Sequence, residues 1–152
     1  MRIVIAAVGR ARKGPEQTLI DLYRQRLRWP LEIREVEEKR PLDTAGRKRR
    51  EAALLRAALP ADAVIAALDE RGKPLDSKAF AAQLGQWQDT GHRDVAFLIG
   101  GADGLDQDLR AEAALVIALG PMTWPHLLAR SMLVEQLYRA ECILAGHPYH
   151  RA

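Results

Sequence analysis

The chain has 152 residues, of which 48% are hydrophobic and 28% charged. This length suits one domain with its own hydrophobic core, and the balance of residues excludes a disordered chain. The net charge of +3 favours a polyanionic partner only modestly, since many basic proteins never bind nucleic acid. The single cysteine, Cys142, excludes an internal disulfide, and its apolar neighbours predict a core thiol in a reducing compartment.

Apolar runs typical of strands alternate along the chain with longer patterns typical of helices. The predicted strands cover residues 2–8, 31–36, 63–68, 95–99 and 115–119. The predicted helices cover 15–27, 44–59, 77–87 and 127–144, the third with Asp76 or Ser77 as its N-cap. The strands at 63–68 and 95–99 are continuously apolar, as in a parallel sheet covered on both faces. We therefore predict a single α/β domain over residues 1–152, with an open, mostly parallel sheet.

The chain shows no segment that predicts membrane insertion. No apolar stretch approaches the roughly 20 residues that a bilayer requires. The apolar N-terminus is short and is followed at once by Arg10, Arg12 and Lys13, which is unlike a signal peptide. We expect a soluble, cytoplasmic protein.

Parallel α/β sheets bind ligands at the carboxyl ends of their strands, so the loops that follow the strands are the first place to look for a site. The segment from Gly100 to Gly104 holds three glycines in five positions, which lets a nucleotide-like cofactor approach the backbone. A tight turn without a ligand explains this pattern equally well. The spacing matches neither a dinucleotide fingerprint nor a P-loop.

A second unusual loop follows residue 119 and reads GPMTWPH. Two prolines make its backbone rigid, and Met122 and Trp124 flank the hydroxyl of Thr123. Such a wall suits an adenine. The alternative is a rigid connector in which Met122 and Trp124 belong to the core.

The C-terminal tail, residues 147–151, concentrates His147, Tyr149, His150 and Arg151 directly after the last helix. These groups can bind a base and a phosphate, or accept a proton near neutral pH. A metal held by His147 and His150 is disfavoured, because carboxylates and thiols at ligand spacing are missing, and we predict no metal.

Four motifs in this order resemble the ribosomal large subunit methyltransferase H family, which belongs to the SPOUT class. They are FLIGGADGL at 97–105, MTWPH at 122–126, EQLYRA at 135–140, and YHR at 149–151. The opening strand and a turn from Leu68 to Pro74 extend the resemblance over the whole chain. Trp124 is a minor departure, at a position where an aliphatic or another aromatic residue would also serve.

The resemblance implies a C-terminal trefoil knot, formed where the end of the chain threads through a loop, and a homodimer. It implies S-adenosylmethionine as cofactor and N3 of a pseudouridine in 23S ribosomal RNA as methyl acceptor, in the assembled 70S ribosome and not in free RNA. By the same resemblance, eight residues line the cofactor pocket: Leu68, Gly100, Leu119, Gly120, Pro121, Met122, Thr123 and Trp124.

The expected chemistry assigns roles to four residues near the C-terminus. The acceptor N3 must lose a proton, and His150 is the candidate base. Arg151 and Arg139 are candidates for binding the base oxygens or a phosphate, and Tyr149 for stacking on a base. The alternative is that Arg139 pairs within the last helix while the tail only seals the dimer.

The run Arg47-Lys48-Arg49-Arg50, with Arg56 farther along the same helix, is the best candidate for contact with the RNA backbone, although a solvated helix face is the default. Two other functions stay open. One is a SPOUT methyltransferase for another RNA, such as transfer RNA. The other is a ribosome-binding protein without activity.

Overall fold

The fold is a five-stranded sheet covered by helices, seen here in a computed structural model that describes residues 1–151. The strands are β1 (Arg2–Val8), β2 (Leu31–Val36), β3 (Val64–Lys73), β4 (Asp94–Ile99) and β5 (Leu115–Ile117). The helices are α1 (Pro15–Arg26), α2 (Thr44–Ala57), α3 (Ser77–Asp89), α4 (Gln107–Ala111) and α5 (His126–Leu144), followed by a 3₁₀ turn at Pro148–His150. The strand order is β2-β1-β4-β3-β5, and every neighbouring pair is parallel. The prediction of an α/β fold with an open, mostly parallel sheet is confirmed.

The core lies in two layers, one on each face of the sheet, because successive strand residues point to opposite faces. On one face, Ile3 and Ile5 of β1 pack with α1, α3 and α5. On the other, Ala6 and Val8 pack with α2 and α4. Cys142 is buried, in agreement with the predicted core thiol.

Aspartates start two of the predicted helices. Asp43 accepts a hydrogen bond of 2.7 Å from the backbone N–H of Gly46, and Asp76 accepts one of 2.7 Å from that of Ala79. Each bond satisfies a donor that the first helical turn leaves free. Asp76, and not Ser77, is therefore the N-cap of α3.

The end of β3 differs from the prediction. We expected the strand to stop at Leu68 and a turn to follow, but it continues to Lys73 through an irregularity, and Leu68 and Lys73 both pair with Ile117 of β5. Gly72 permits this approach, because a Cβ there would lie 2.5 Å from the carbonyl carbon of Ile117. β5 accordingly ends at Ile117 instead of 119.

The remaining boundaries lie within two residues of the predicted ones, and α4 was missed altogether. Its five residues are too few to show a helical period. Within residues 1–151, no helix combines the length and apolar character needed to cross a membrane. The trefoil knot stays a prediction.

Candidate functional site

A cavity of about 670 Å³ opens at the carboxyl edge of the sheet, the edge at which all five parallel strands end. Its volume lies within the range of small-molecule sites, roughly 300–1,000 Å³. Seven of the eight residues expected at a cofactor pocket line it: Leu68, Gly100, Leu119, Gly120, Met122, Thr123 and Trp124. Pro121 lies in the same loop but does not line the cavity.

The glycine loop, residues 100–104, forms one wall of the cavity and is folded tightly on itself. Gly104 donates a hydrogen bond of 3.0 Å to the carbonyl of Gly101 and has a φ of +79°, which favours glycine. A Cβ on Gly100 would lie 2.7 Å from the carbonyl carbon of Gly104. Glycine at 100 is therefore required by the turn itself, and the turn leaves backbone facing the cavity.

A second wall is the loop from Leu119 to Trp124. The indole Nε1–H of Trp124 donates a hydrogen bond of 3.0 Å to the carbonyl of Leu119, which closes the loop. Met122 is 69% exposed and Trp124 is 38% exposed. The alternative that places these two side chains in the core is therefore wrong, and both offer apolar surface to a ligand.

Charged residues also line the cavity, and the sequence interpretation missed them. Asp69 forms an ion pair of 3.1 Å with Arg110 of α4, and its other carboxylate oxygen accepts a hydrogen bond of 2.9 Å from the backbone N–H of Arg71. Glu70 lies beside this pair, with an exposed carboxylate at the cavity wall. The available signal was the run of charged residues that directly follows the apolar stretch 64–68 of β3.

A buried carboxylate supports the glycine loop from behind. Glu51 of α2 is only 7% exposed, and both its oxygens lie 3.3 Å from the position of a Cβ on Gly101. Burial raises the pKa of Glu51, and the nearby Arg47 partly opposes that rise. This loop therefore packs against a group whose ionised form is penalised.

Tyr149 of the tail and Arg139 of α5 share one carboxylate, that of Glu135 on α5. The hydroxyl of Tyr149 donates a hydrogen bond of 3.0 Å to Glu135, and Arg139 forms an ion pair of 2.8 Å with the same Glu135 oxygen. The Arg139 guanidinium lies 4.9 Å from the centre of the Tyr149 ring. The centres of the Tyr138 and Tyr149 rings are 4.7 Å apart. Burial raises the pKa of Tyr149, as do its hydrogen bonds to the Tyr23 hydroxyl and to the Glu135 carboxylate. Arg139 therefore makes the pair within α5 that we considered as the alternative.

The other two candidate catalytic residues, His150 and Arg151, make fewer contacts. The ring Nδ1 of His150 is hydrogen-bonded to the carbonyl of His147. Because a carbonyl only accepts, Nδ1 carries the hydrogen in neutral His150 and Nε2 keeps a free lone pair. Arg151 is exposed.

No tail residue lines the cavity within one copy of the chain. Tyr149 contacts α5 at Glu135, which lies nine residues from His126 at the cavity, or about 13 Å along the helix axis. Within one copy of the chain, the structure thus brings the expected cofactor residues together but does not bring the four candidate catalytic residues, Arg139, Tyr149, His150 and Arg151, to them.

The basic run on α2 is largely engaged inside the molecule. Arg47 donates a hydrogen bond of 2.9 Å to the carbonyl of Glu38, and Arg50 pairs with the Glu38 carboxylate at 2.9 Å. Arg56 pairs with Glu112 at 2.6 Å. Lys48 lines the cavity and Arg49 is exposed, so contact of this run with RNA stays a prediction. Among the described residues, no group of three or more His, Cys, Asp or Glu side chains is placed to hold a metal ion.

Comparisons with known proteins agree on one family. A family model described as "Predicted SPOUT methyltransferase" matches residues 1–150. The chain is 57% identical over 152 residues to a protein of Rhodospirillum centenum named "Ribosomal RNA large subunit methyltransferase H", with both chains covered completely. It is 55% identical to the protein of that name from Paramagnetospirillum magneticum, with 99% of each chain covered. The crystal structure of a probable methyltransferase from Bordetella pertussis Tohama I superposes with a TM-score of 0.58, covering 91% of this chain and 95% of that one. At 17% identity that likeness concerns the fold alone.

Proposed function

This chain belongs to the SPOUT methyltransferases, among the ribosomal RNA large subunit methyltransferase H proteins, and we propose that it methylates 23S ribosomal RNA in the cytoplasm. The methyl donor is S-adenosylmethionine, and the acceptor is N3 of a pseudouridine in the assembled 70S ribosome. The relatives named above support the ribosomal RNA substrate, and family membership supports the donor. The specific nucleotide position and the ribosomal context are proposals that rest on the sequence resemblance.

The observation that carries the proposal is the cavity at the carboxyl edge. Its volume of about 670 Å³ accommodates a nucleoside with an amino-acid tail. The apolar wall at Met122 and Trp124 suits an adenine, and the Glu70 carboxylate can accept hydrogen bonds from ribose hydroxyls. When bound, S-adenosylmethionine would supply an electrophilic sulfonium methyl group, which the acceptor nitrogen takes up as the carbon–sulfur bond breaks and S-adenosylhomocysteine leaves. The rigid loops of this chain would hold that group in one orientation, and orientation alone contributes roughly 7–11 kcal/mol in favourable intramolecular reactions.

The acceptor must lose the proton on N3 before or during methyl transfer. The free Nε2 lone pair of His150 can take that proton, because Nδ1 is committed to the His147 carbonyl. Arg151 can bind the oxygens on either side of N3, where negative charge develops. Arg139 and Tyr149 are bound to Glu135, which favours a positioning role: they would hold the tail against α5 and orient His150.

A homodimer would join the two halves of this site. Because the tail does not line the cavity of its own chain, we propose that the tail of one copy completes the cavity of the other. Mixing two impaired variants at a limiting concentration of S-adenosylmethionine tests this arrangement: Gly100→Ala weakens the cofactor cavity, and His150→Ala removes the candidate base from the tail. Heterodimers would each contain one intact site and regain part of the wild-type activity, whereas activity that stays at the level of the separate variants after subunit exchange would exclude the shared site.

The direct test is transfer of labelled methyl from S-adenosylmethionine to 70S ribosomes that lack the modification. Free 23S ribosomal RNA and transfer RNA are assayed in parallel as alternative substrates. The matched control for His150→Ala is His92→Ala, which replaces an exposed histidine on the amino edge of the sheet. We expect label at N3 in ribosomes only, with loss of transfer in His150→Ala but not in His92→Ala. Transfer to another RNA would favour a different substrate, and cofactor binding without transfer to any RNA would contradict the proposed activity.

A further inference from the structure

A basic loop borders the cavity on the side of β1. This loop, residues 9–14, follows β1 at the carboxyl edge and is called here the β1–α1 loop. A Cβ on Gly9 would lie 3.4 Å from the His126 ring, which itself lines the cavity. Val8, at the end of β1, lies 3.1 Å from the Cβ position of Gly101 in the glycine loop. The β1–α1 loop therefore adjoins the cavity without lining it.

The β1–α1 loop is held in place by groups from distant parts of the chain. Arg130 of α5 is only 1% exposed, and its guanidinium donates a hydrogen bond of 3.2 Å to the carbonyl of Gly9. The same guanidinium lies 3.6 Å from the carboxylate of Glu35. The other oxygen of Glu35 accepts a hydrogen bond of 2.7 Å from the backbone N–H of Ala11. The backbone of this loop is thus tied to both α5 and β2.

The charge of the β1–α1 loop has one sign. It contains Arg10, Arg12 and Lys13 and no acidic residue. Arg10 pairs with Glu37 at 3.3 Å, whereas Arg12 and Lys13 are exposed and form no ion pair within residues 1–151. These two cations differ from Arg47, Arg50 and Arg56 of α2, whose side chains are already bonded within the molecule.

We propose that Arg12 and Lys13 bind backbone phosphates of ribosomal RNA next to the acceptor nucleotide, and that the β1–α1 loop is the RNA-facing rim of the cofactor cavity. The inference rests on the proposed function, since it takes the cavity as the methyl-donor site. Free cations on a rigid loop beside a reaction centre fix the register of a polyanion without reading its sequence. Arg130 is then a positioning residue, since it acts on RNA only through the loop backbone.

The test measures affinity and catalysis separately on the full-length protein. The double variant Arg12→Gln with Lys13→Gln removes both free cations. Its matched control, Arg24→Gln with Arg93→Gln, removes two exposed arginines near the amino edge of the sheet. The charge-conserving variant Arg12→Lys with Lys13→Arg serves as a rescue. The Kd for unmodified 70S ribosomes is measured with labelled protein between 50 and 200 mM salt, together with kcat, KM and the Kd for S-adenosylmethionine.

The logarithm of the association constant falls with the logarithm of salt concentration. We expect this negative slope to become less steep by about 2 in the double variant, about one unit for each lost phosphate contact. KM for ribosomes rises, while kcat at saturation and the Kd for S-adenosylmethionine stay at wild-type values. The control and the rescue variant keep the wild-type slope.

A double variant with the wild-type salt slope would overturn the inference, as would an equal fall in the control. A change of oligomeric state in sedimentation would also overturn it, because the loop would then be a subunit contact. If the wild type binds ribosomes but transfers no methyl group, the proposed function fails, and the salt slopes still decide whether the loop binds RNA.

Discussion

Replacing Gly100 by alanine tests whether the tight turn of the glycine loop shapes the cavity. The added Cβ would lie 2.7 Å and 2.9 Å from the carbonyl carbon and oxygen of Gly104, and 2.9 Å from the backbone nitrogen of Leu105. Carbon atoms in contact need about 3.5 Å or more, so the turn has to open by roughly 0.6–0.8 Å. All three neighbours are backbone atoms, which cannot rotate away as a side chain does.

Overpacking of this kind costs about 1–3 kcal/mol. If only the cofactor complex requires the closed turn, the variant relaxes in the free protein and the whole cost appears in binding. The Kd for S-adenosylmethionine then rises about 5- to 150-fold. If the turn also supports the apo fold, part of the cost appears instead as a lower Tm. The sum of the two losses should therefore lie near 1–3 kcal/mol.

Isothermal titration with S-adenosylmethionine and thermal unfolding without it measure the two parts. Gly85→Ala is the matched control: its Cβ would lie 3.0 Å from Cδ2 of Leu144, an exposed and rotatable side chain, and α3 gains about 0.8–1 kcal/mol of helix propensity. We expect Gly85→Ala to bind the cofactor normally. Wild-type affinity and an unchanged Tm in Gly100→Ala would refute the reasoning, because the turn would then not need its glycine.

Variants at three further positions probe the groups around the cavity and the tail. Because burial raises the pKa of Glu51, the native state holds the carboxyl proton of Glu51 more tightly than the unfolded chain does. The contribution of this proton to the free energy of unfolding is present in acid and is lost as pH rises through the raised pKa. Glu51→Gln should therefore raise the free energy of unfolding by about 1 kcal/mol at pH 7 and by little below pH ~4.3, as urea unfolding at the two pH values would show. Trp124→Phe removes the hydrogen bond to Leu119, which is worth about 1–1.5 kcal/mol. Cofactor binding should therefore weaken by about tenfold with little change in Tm, and an unchanged titration curve would contradict this. Tyr149→Phe keeps the ring packing and loses the bond to Glu135, so kcat should fall only a few-fold, whereas Tyr149→Ala should lose most activity at unchanged cofactor affinity. Equal kcat values for the two Tyr149 variants would exclude the positioning role.

Local pattern was sufficient to predict the framework of this protein. The apolar runs of the strands and the aspartate before α3 depend on neighbours a few residues away, so they can be read along the chain. The same holds for the cofactor loops, because each directly follows an apolar strand. Parallel strands then bring such loops to one edge without further information. The individual cofactor residues came from the family resemblance, and seven of those eight line one cavity.

Contacts between distant segments were decided only by the tertiary structure. The pair between Asp69 and Arg110 joins residues 41 positions apart, and the bond from Arg130 to Gly9 spans 121 positions. The continuation of β3 to Lys73 likewise depends on β5, which supplies the hydrogen-bonding partner at Ile117. No periodicity or motif encodes these partners, because each is chosen by how the helices pack on the sheet. The sequence alone therefore determined which loops could form a site, and the packing of α2, α4 and α5 decided which charges are bonded within the molecule and which remain available to a ligand.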